Sequence, residues 1–108
     1  MTWWSFASTF NRRFDVRTVT GLRCESATAI AEVTAERIAE TIEEIDSSEV
    51  DAIVQVGTNL SFVRQAAALE QSLAKPVIAI NAATLWHGLR ASSVDDRCSG
   101  FGRLLEEL

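Results

Sequence analysis

The chain has 108 residues, which suffices for one small folding domain, 1–108, and almost half of them are apolar. Its net charge is −5, so a nucleic acid, whose phosphates attract basic proteins, is not an expected partner. No stretch approaches the roughly 20 apolar residues that a membrane-spanning helix needs. Composition therefore predicts a cytoplasmic globular protein that binds neither nucleic acid nor membrane.

The N-terminal segment, residues 1–13, is aromatic, but polar residues interrupt it in a way that is not typical of a signal peptide. We expect its aromatic side chains to pack against the protein. The run F-D-V-R-T-V from Phe14 to Val19 alternates apolar and polar residues, which predicts a strand with one buried face. Residues 21–28 are expected to form a loop.

The next two elements are a helix and a buried strand. Thr34 precedes the sequence AERIAETIEEI and can cap a helix that runs to Ile45. The apolar residues on one face of this helix are Ala35, Ile38, Ile42 and Ile45. The run from Val50 to Val56 is β-branched and mostly apolar, as expected of a strand covered on both faces.

A helix, a strand and two further helices follow. The first helical pattern begins at Ser61, ends before Lys75-Pro76, and has the inward-facing residues Val63, Ala66, Leu69 and Leu73. Val77 to Ile80 predicts a second buried strand. Asn81 begins another helix, whose predicted buried stripe is Leu85, Trp86 and Leu89. A last helix is expected from Arg103 to Leu108, carrying Leu104, Leu105 and Leu108.

The order of these elements predicts an α/β fold. Strands joined by helices need crossover connections, so we expect a small parallel sheet whose central strands are the two apolar runs. Helices on both of its faces give a three-layer α/β/α arrangement. Three or four strands leave an unpaired edge, so we expect a partner, either a second copy in a homo-oligomer or a missing N-terminal half.

Two strand ends are candidate binding positions, because ligands of an open parallel sheet bind beyond the carboxyl ends of its strands. Gly57-Thr58-Asn59 follows the first apolar run, and Asn81 to Thr84 follows the second. A helix N-terminus at each position would offer free N–H groups to a carboxylate or phosphate. Thr58 and Asn59 can also cap a helix without any ligand, and that alternative stays open.

The segments DAIVQVGTNL and KPVIAINAATLWHGLR resemble the C-terminal half of the maleate cis-trans isomerases and arylmalonate decarboxylases, which belong to the aspartate/glutamate racemase superfamily. The resemblance covers Phe14 to Leu108. It implies one half of a pseudo-symmetric fold in which two similar α/β halves enclose the active site. It also implies a cofactor-independent isomerase, racemase or decarboxylase that acts on a small carboxylate such as maleate.

The chain departs from this family at one position. The family places a cysteine before Thr-Asn-Leu, whereas this chain has Gly57, and glycine can neither add to a double bond nor move a proton. The resemblance therefore implies no catalytic residue here, and a chain that is incomplete or inactive alone. The substrate-binding residues that it implies are Gly57, Thr58, Asn59, Leu60 and Asn81. The alternative is a non-catalytic module that keeps the turn for carboxylate binding or assembly.

The remaining reactive residues carry no recognisable motif. Cys24 and Cys98 are in neither a CxxC pair nor a zinc spacing, and we interpret both as reduced thiols. Cys24 lies near a loop of the implied site, but no pattern identifies it as a substitute for the missing cysteine. His87 is interpreted as a surface or helix-edge residue. Asp95-Asp96 is interpreted as a loop pair, and neither a metal nor a cofactor is expected.

Overall fold

The computed structural model describes residues 14–22 and 24–108. Within these residues it contains five helices and two strands. They are, in chain order, α1 (Ala27–Ala31), α2 (Ala35–Ile45), β1 (Ile53–Gln55), α3 (Val63–Leu73), β2 (Val77–Ala79), α4 (Ile80–Ala91) and α5 (Arg103–Glu107). The aromatic segment 1–13, for which packing was predicted, lies outside the described residues.

The two strands pair in parallel, with Ile53 opposite Val77 and Gln55 opposite Ala79. The crossover between them is α3, which packs on β2. The mixed α/β class and the parallel pairing of the two apolar runs are therefore confirmed. Each strand has three residues, fewer than the apolar run that predicted it.

The two faces of this sheet differ in exposure. Ile53 and Val77 are buried on one face, whereas Val54 on the other face is 43% exposed and its neighbour Ile78 is half-buried. The second face is thus covered less completely than the apolar run predicted. The hydrophobic core contains the first face together with side chains from the helices and from the turn after β1, namely Ile38, Ile42, Leu60, Phe62, Ala66, Ala82 and Leu105.

Helix α2 has the bounds that its sequence pattern predicts. The Thr34 hydroxyl accepts a hydrogen bond from the N–H of Arg37 at 3.3 Å, which satisfies one donor of the first turn. Ile38 and Ile42 are buried on consecutive turns. The cap and the apolar spacing therefore sufficed to define this helix.

The predicted strand from Phe14 to Val19 is wrong. The structure has no strand over residues 14–19, and the side chains of Phe14 and Val19 are exposed. An alternating run gains stability as a strand by burying its apolar face, and of the apolar residues in this run only Val16 is even half-buried. The described residues accordingly contain two strands rather than three or four.

Helix α1 was not predicted. Its first two residues lie in the segment 21–28, which was expected to form a loop. The Ser26 hydroxyl begins it by accepting a hydrogen bond from the N–H of Ala29 at 3.1 Å. The buried stripe of α4 also differs from the prediction. Leu85, predicted to be buried, is 52% exposed, whereas Ala82, outside the predicted stripe, is buried.

Charged side chains join the amino ends of the two strands. The Glu70 carboxylate, in α3, is buried and accepts hydrogen bonds from the N–H of Val77 at 3.2 Å and of Arg103 at 2.9 Å. It thereby connects α3 to the first residues of β2 and α5. The Lys75 ammonium donates to Asp46 at 2.6 Å and to two carbonyls of the loop before β1.

Candidate functional site

The predicted turn begins two residues after β1. Gly57 is exposed and has a φ of 112°, a left-handed value that residues with a Cβ rarely adopt. A Cβ at this position would meet no atom closer than Nε2 of Gln55, at 3.9 Å. The backbone angle, rather than a lack of space, therefore explains the glycine.

The helix that was expected directly after the turn begins later. α3 starts at Val63 with Phe62 as its N-cap, and among the described residues no side chain caps it. Leu60 and Phe62 are buried in the core, which holds the preceding chain in a turn. Thr58 and Asn59 therefore do not cap α3, and capping does not explain them. Leu60, predicted among the binding residues, contributes its side chain to the core.

The Gln55 amide connects the ends of both strands. Its Nε2 donates to the Gly57 carbonyl at 2.7 Å, and its Oε1 accepts from the N–H of Ile80 at 3.2 Å. Because Ile80 is the first residue of α4, this one side chain holds the turn after β1 against the start of the helix after β2. The sequence prediction missed Gln55. The sequence feature that could have indicated Gln55 is a polar residue near the end of an apolar run, two positions before a glycine.

Asn81 makes a second connection between the two strand ends. Its Nδ2 donates to the Thr58 carbonyl at 3.1 Å, so the two predicted positions lie side by side. The Thr84 hydroxyl does not hydrogen-bond the turn. It donates to the Ile80 carbonyl of its own helix at 2.8 Å. Thr58 and Asn59 are exposed, and within the described part of the chain their side chains make no hydrogen bond.

Helix α4 begins at this edge of the sheet. The first N–H groups of a helix have no partner within the helix and carry the positive end of its dipole. Gln55 occupies the N–H of Ile80, and no residue at the N-cap position caps α4 through a side chain in the described structure. The next N–H groups are those of Asn81, which is exposed, and of Ala82, whose side chain is buried in the core. The edge thus offers backbone N–H groups, one hydroxyl and one amide to an anion.

The reactive side chains lie apart from this turn. Of the residues that the structure describes, no cysteine, histidine or carboxylate hydrogen-bonds residues 57–59. Cys24 and Cys98 are half-buried free thiols, and His87 is exposed, its ring 6.5 Å from that of Trp86. The described ranges contain no cluster of ligating side chains suited to a metal ion. Nor do they contain a helix with the length and apolar character needed to cross a bilayer.

A small cavity is lined by Glu70 and Phe101, and also by Ala79 and Ala82 at the start of α4. Its volume of about 10 Å³ leaves room for at most about one water molecule, so it is too small for a substrate. Arg103, the first residue of α5, comes directly after Gly102, which lines this cavity. Its pKa is raised because its guanidinium hydrogen-bonds the exposed Glu107 carboxylate. This pair does not contact the turn.

The fold and the turn define an α/β protein with a candidate anion-binding edge at the carboxyl ends of its strands. A family comparison matches residues 8–105 to the family described as arylmalonate decarboxylase. Since the match covers most of the chain, the chain belongs to the arylmalonate decarboxylase family. It therefore belongs to a superfamily of racemases and decarboxylases, as the resemblance implied. Comparisons with curated proteins and with solved structures gave no match.

Proposed function

We propose that the chain binds a small carboxylate, such as maleate, at the turn Gly57-Thr58-Asn59 beside the start of α4. The observation that carries this proposal is the Gln55 bridge, which holds the Gly57 turn against the first N–H of α4. Helix N-termini bind carboxylates through free N–H groups and the helix dipole. Family membership supports this ligand class, because an arylmalonate is a dicarboxylate.

The proposal assigns each residue of the turn a role. Gly57 has no Cβ, so a ligand can approach its backbone closely. The Thr58 hydroxyl and the Asn59 amide donate hydrogen bonds to carboxylate oxygens. The N–H groups of Asn81 and Ala82 add backbone donors at the positive end of the helix dipole.

We also propose that this turn binds the substrate without supplying the reactive group. Racemisation, isomerisation or decarboxylation beside a carboxylate requires a group that adds to the substrate or moves a proton. Gly57 has no such group. In this proposal the turn is the binding part of a cofactor-independent isomerase, racemase or decarboxylase. The reactive cysteine then comes from a second turn, carried by another α/β half whose sequence differs from this chain.

A non-catalytic module for carboxylate binding or assembly is the second candidate function. The φ of Gly57 favours it, because a cysteine at 112° would be strained. The exposed face of the sheet at Val54 favours association with another copy. Turnover distinguishes the two candidates. If the purified chain releases CO₂ from an arylmalonate or isomerises maleate, the second candidate is wrong.

An NMR titration tests the proposed binding. Maleate is added to the ¹⁵N-labelled wild type, to Asn59→Ala and to the control Gln71→Ala, which removes an exposed amide of α3. We expect about millimolar affinity for the wild type, or about 4 kcal/mol. Loss of the Asn59 amide should weaken binding by roughly 1.5–3 kcal/mol, the contribution of a hydrogen bond to a charged group. Gln71→Ala should bind as the wild type does.

The expected shifts identify the site. They should appear at residues 57–61 and 80–82 in the wild type and in the control, and they should weaken in Asn59→Ala. The same titration curve for all three proteins would exclude Asn59 from the site. An absence of shifts at both strand ends would reject the turn as the binding position.

A further inference from the structure

Two side-chain amides each bind one carbonyl oxygen of the turn, those of Gly57 and Thr58. The Gly57 carbonyl accepts hydrogen bonds from Nε2 of Gln55 at 2.7 Å and from the N–H of Leu60 at 3.4 Å. The Thr58 carbonyl accepts from Nδ2 of Asn81 at 3.1 Å. The hydrogen-bonding groups of the turn that have no partner in the described structure therefore include the Thr58 hydroxyl and the Asn59 side chain.

This arrangement decides which sign of charge the turn accepts. A carbonyl oxygen repels a carboxylate and attracts a hard cation such as Ca²⁺. Convergent N–H groups do the opposite and form anion-binding concavities. A turn in which the Gly57 and Thr58 carbonyls are already bound, and which lies beside N–H groups of a helix N-terminus, is suited to anions.

The two contacts of Gln55 also determine how its amide is oriented. The group at its Oε1 side is the N–H of Ile80, a donor, and the group at its Nε2 side is the Gly57 carbonyl, an acceptor. The reversed amide would place donor against donor and acceptor against acceptor. A carboxylate at position 55 could keep the first contact but could not make the second.

We infer that Gln55 is a positioning residue that makes this turn select anions over cations. It acts through Gly57, whose carbonyl it occupies, and through Ile80, which it holds beside the turn. The inference rests on the proposed function, since it concerns how the same site chooses its ligand. It adds a residue outside the turn whose effect on charge selection can be measured separately from the binding itself.

The test uses the full chain, with maleate and Ca²⁺ as probes in separate NMR titrations. Gln55→Glu keeps the acceptor for Ile80 but loses the donor to Gly57 and adds a negative charge. Gln55→Met loses both hydrogen bonds at similar size. Gln71→Glu adds the same charge on an exposed position of α3 and is the matched control.

We expect Gln55→Glu to bind maleate at least tenfold more weakly than the wild type and to show Ca²⁺-dependent shifts at residues 55–58. We expect Gln55→Met to weaken maleate binding severalfold and to speed hydrogen exchange at the Ile80 N–H. Gln71→Glu should match the wild type with both probes. A role in stability alone would not reverse the preference between maleate and Ca²⁺.

The outcomes separate this inference from the proposed function. If the wild type binds maleate and both Gln55 variants bind it equally well, Gln55 does not position the turn and the inference is overturned, while the proposed function stands. If the wild type gives no maleate shifts at the turn, the proposed function fails and the anion-selection role fails with it. Unchanged exchange of the Ile80 N–H in Gln55→Met would overturn the bridge itself, whatever the ligand result.

Discussion

The two ends of the small sheet are held together by different chemistry. At the amino ends of the strands, a buried glutamate and a lysine make charged hydrogen bonds, through Glu70 and Lys75. At the carboxyl ends, neutral amides do the same work, through Gln55 and Asn81. At the amino ends, the charged groups hydrogen-bond one another and the backbone. At the carboxyl ends, the Thr58 hydroxyl and the Asn59 amide have no hydrogen-bond partner in the described residues.

This difference indicates which end can bind a ligand. A charged group whose partners are all internal contributes to the fold and leaves little for a substrate. A carboxylate at the carboxyl ends of the strands would repel an anionic ligand. The chain carries fifteen acidic residues, yet within the described residues none hydrogen-bonds the turn at 57–59. We therefore expect the side chains at the amino end to act mainly on stability, and the side chains at the carboxyl end to act mainly on binding.

The largest expected effect is at Glu70, on the charged end. Glu70→Ala leaves the N–H groups of Val77 and Arg103 without their acceptor. The unpaired buried donor of Val77 costs about 1–3 kcal/mol and the lost, part-buried hydrogen bond of Arg103 about 0.5–1.5 kcal/mol, so the free energy of unfolding should fall by about 1.5–4.5 kcal/mol. Urea unfolding measures this change in the free energy of unfolding. Glu44→Ala, at an exposed position of α2, is the control and should change stability by less than about 0.5 kcal/mol. Equal effects in both variants would mean that the buried carboxylate is not structural.

A pair of glycine substitutions tests the backbone of the neutral end. Gly57→Ala should destabilise the protein by about 1–3 kcal/mol, because a φ of 112° is strained for any residue with a Cβ. Gly88→Ala should instead stabilise it by about 0.5–1 kcal/mol, since Gly88 lies within α4 and a Cβ there meets no atom within 4 Å. Thermal unfolding of the two variants gives the comparison. Stabilisation by Gly57→Ala would show that the turn does not require glycine.

The fold was predictable where local pattern and tertiary burial agree. The bounds of α2 follow from Thr34 and from isoleucines spaced along one face, and both strands lie inside apolar runs. Phe14 to Val19 also alternates, but Phe14 and Val19 remain exposed, and a pattern cannot report whether a covering surface exists. Periodicity describes what a segment could bury, not what it does bury.

The candidate site was predictable in its position but not in its construction. Gly57 and Asn81 stand at strand ends, which topology alone makes neighbours. The Gln55 bridge joins residues 25 positions apart, and Glu70 joins residues 33 positions apart. No local pattern contains such partners. A glutamate in a helix is typical of a solvated face, so the sequence offered no reason to expect Glu70 in the core.

Lys75 should have an intermediate effect on the charged end. Its side chain and that of Asp46 are 17% and 21% exposed, so their ion pair is only partly screened by water. Lys75→Met should destabilise the protein by about 1–2 kcal/mol, between the range for exposed pairs and the range for buried charged hydrogen bonds. Arg64→Met, at an exposed cation of α3, should be near neutral. A double-mutant cycle with Asp46→Asn measures the coupling, and a value near zero would mean that Lys75 acts only through the loop carbonyls.

The smallest expected change in stability is at Asn81, where the effect on binding should be clear. Asn81→Asp loses the hydrogen bond to the Thr58 carbonyl, at a cost of about 0.5–1.5 kcal/mol. An aspartate in the first turn of α4 regains about 0.3–1 kcal/mol from the helix dipole, so unfolding should shift by less than about 1 kcal/mol. The new charge lies beside the proposed carboxylate position and should weaken maleate binding about tenfold or more. Urea unfolding and the maleate titration, run on the same samples, separate the two quantities. Unchanged maleate affinity in a folded Asn81→Asp protein would place the anion elsewhere and remove the functional meaning of the difference between the two ends of the sheet.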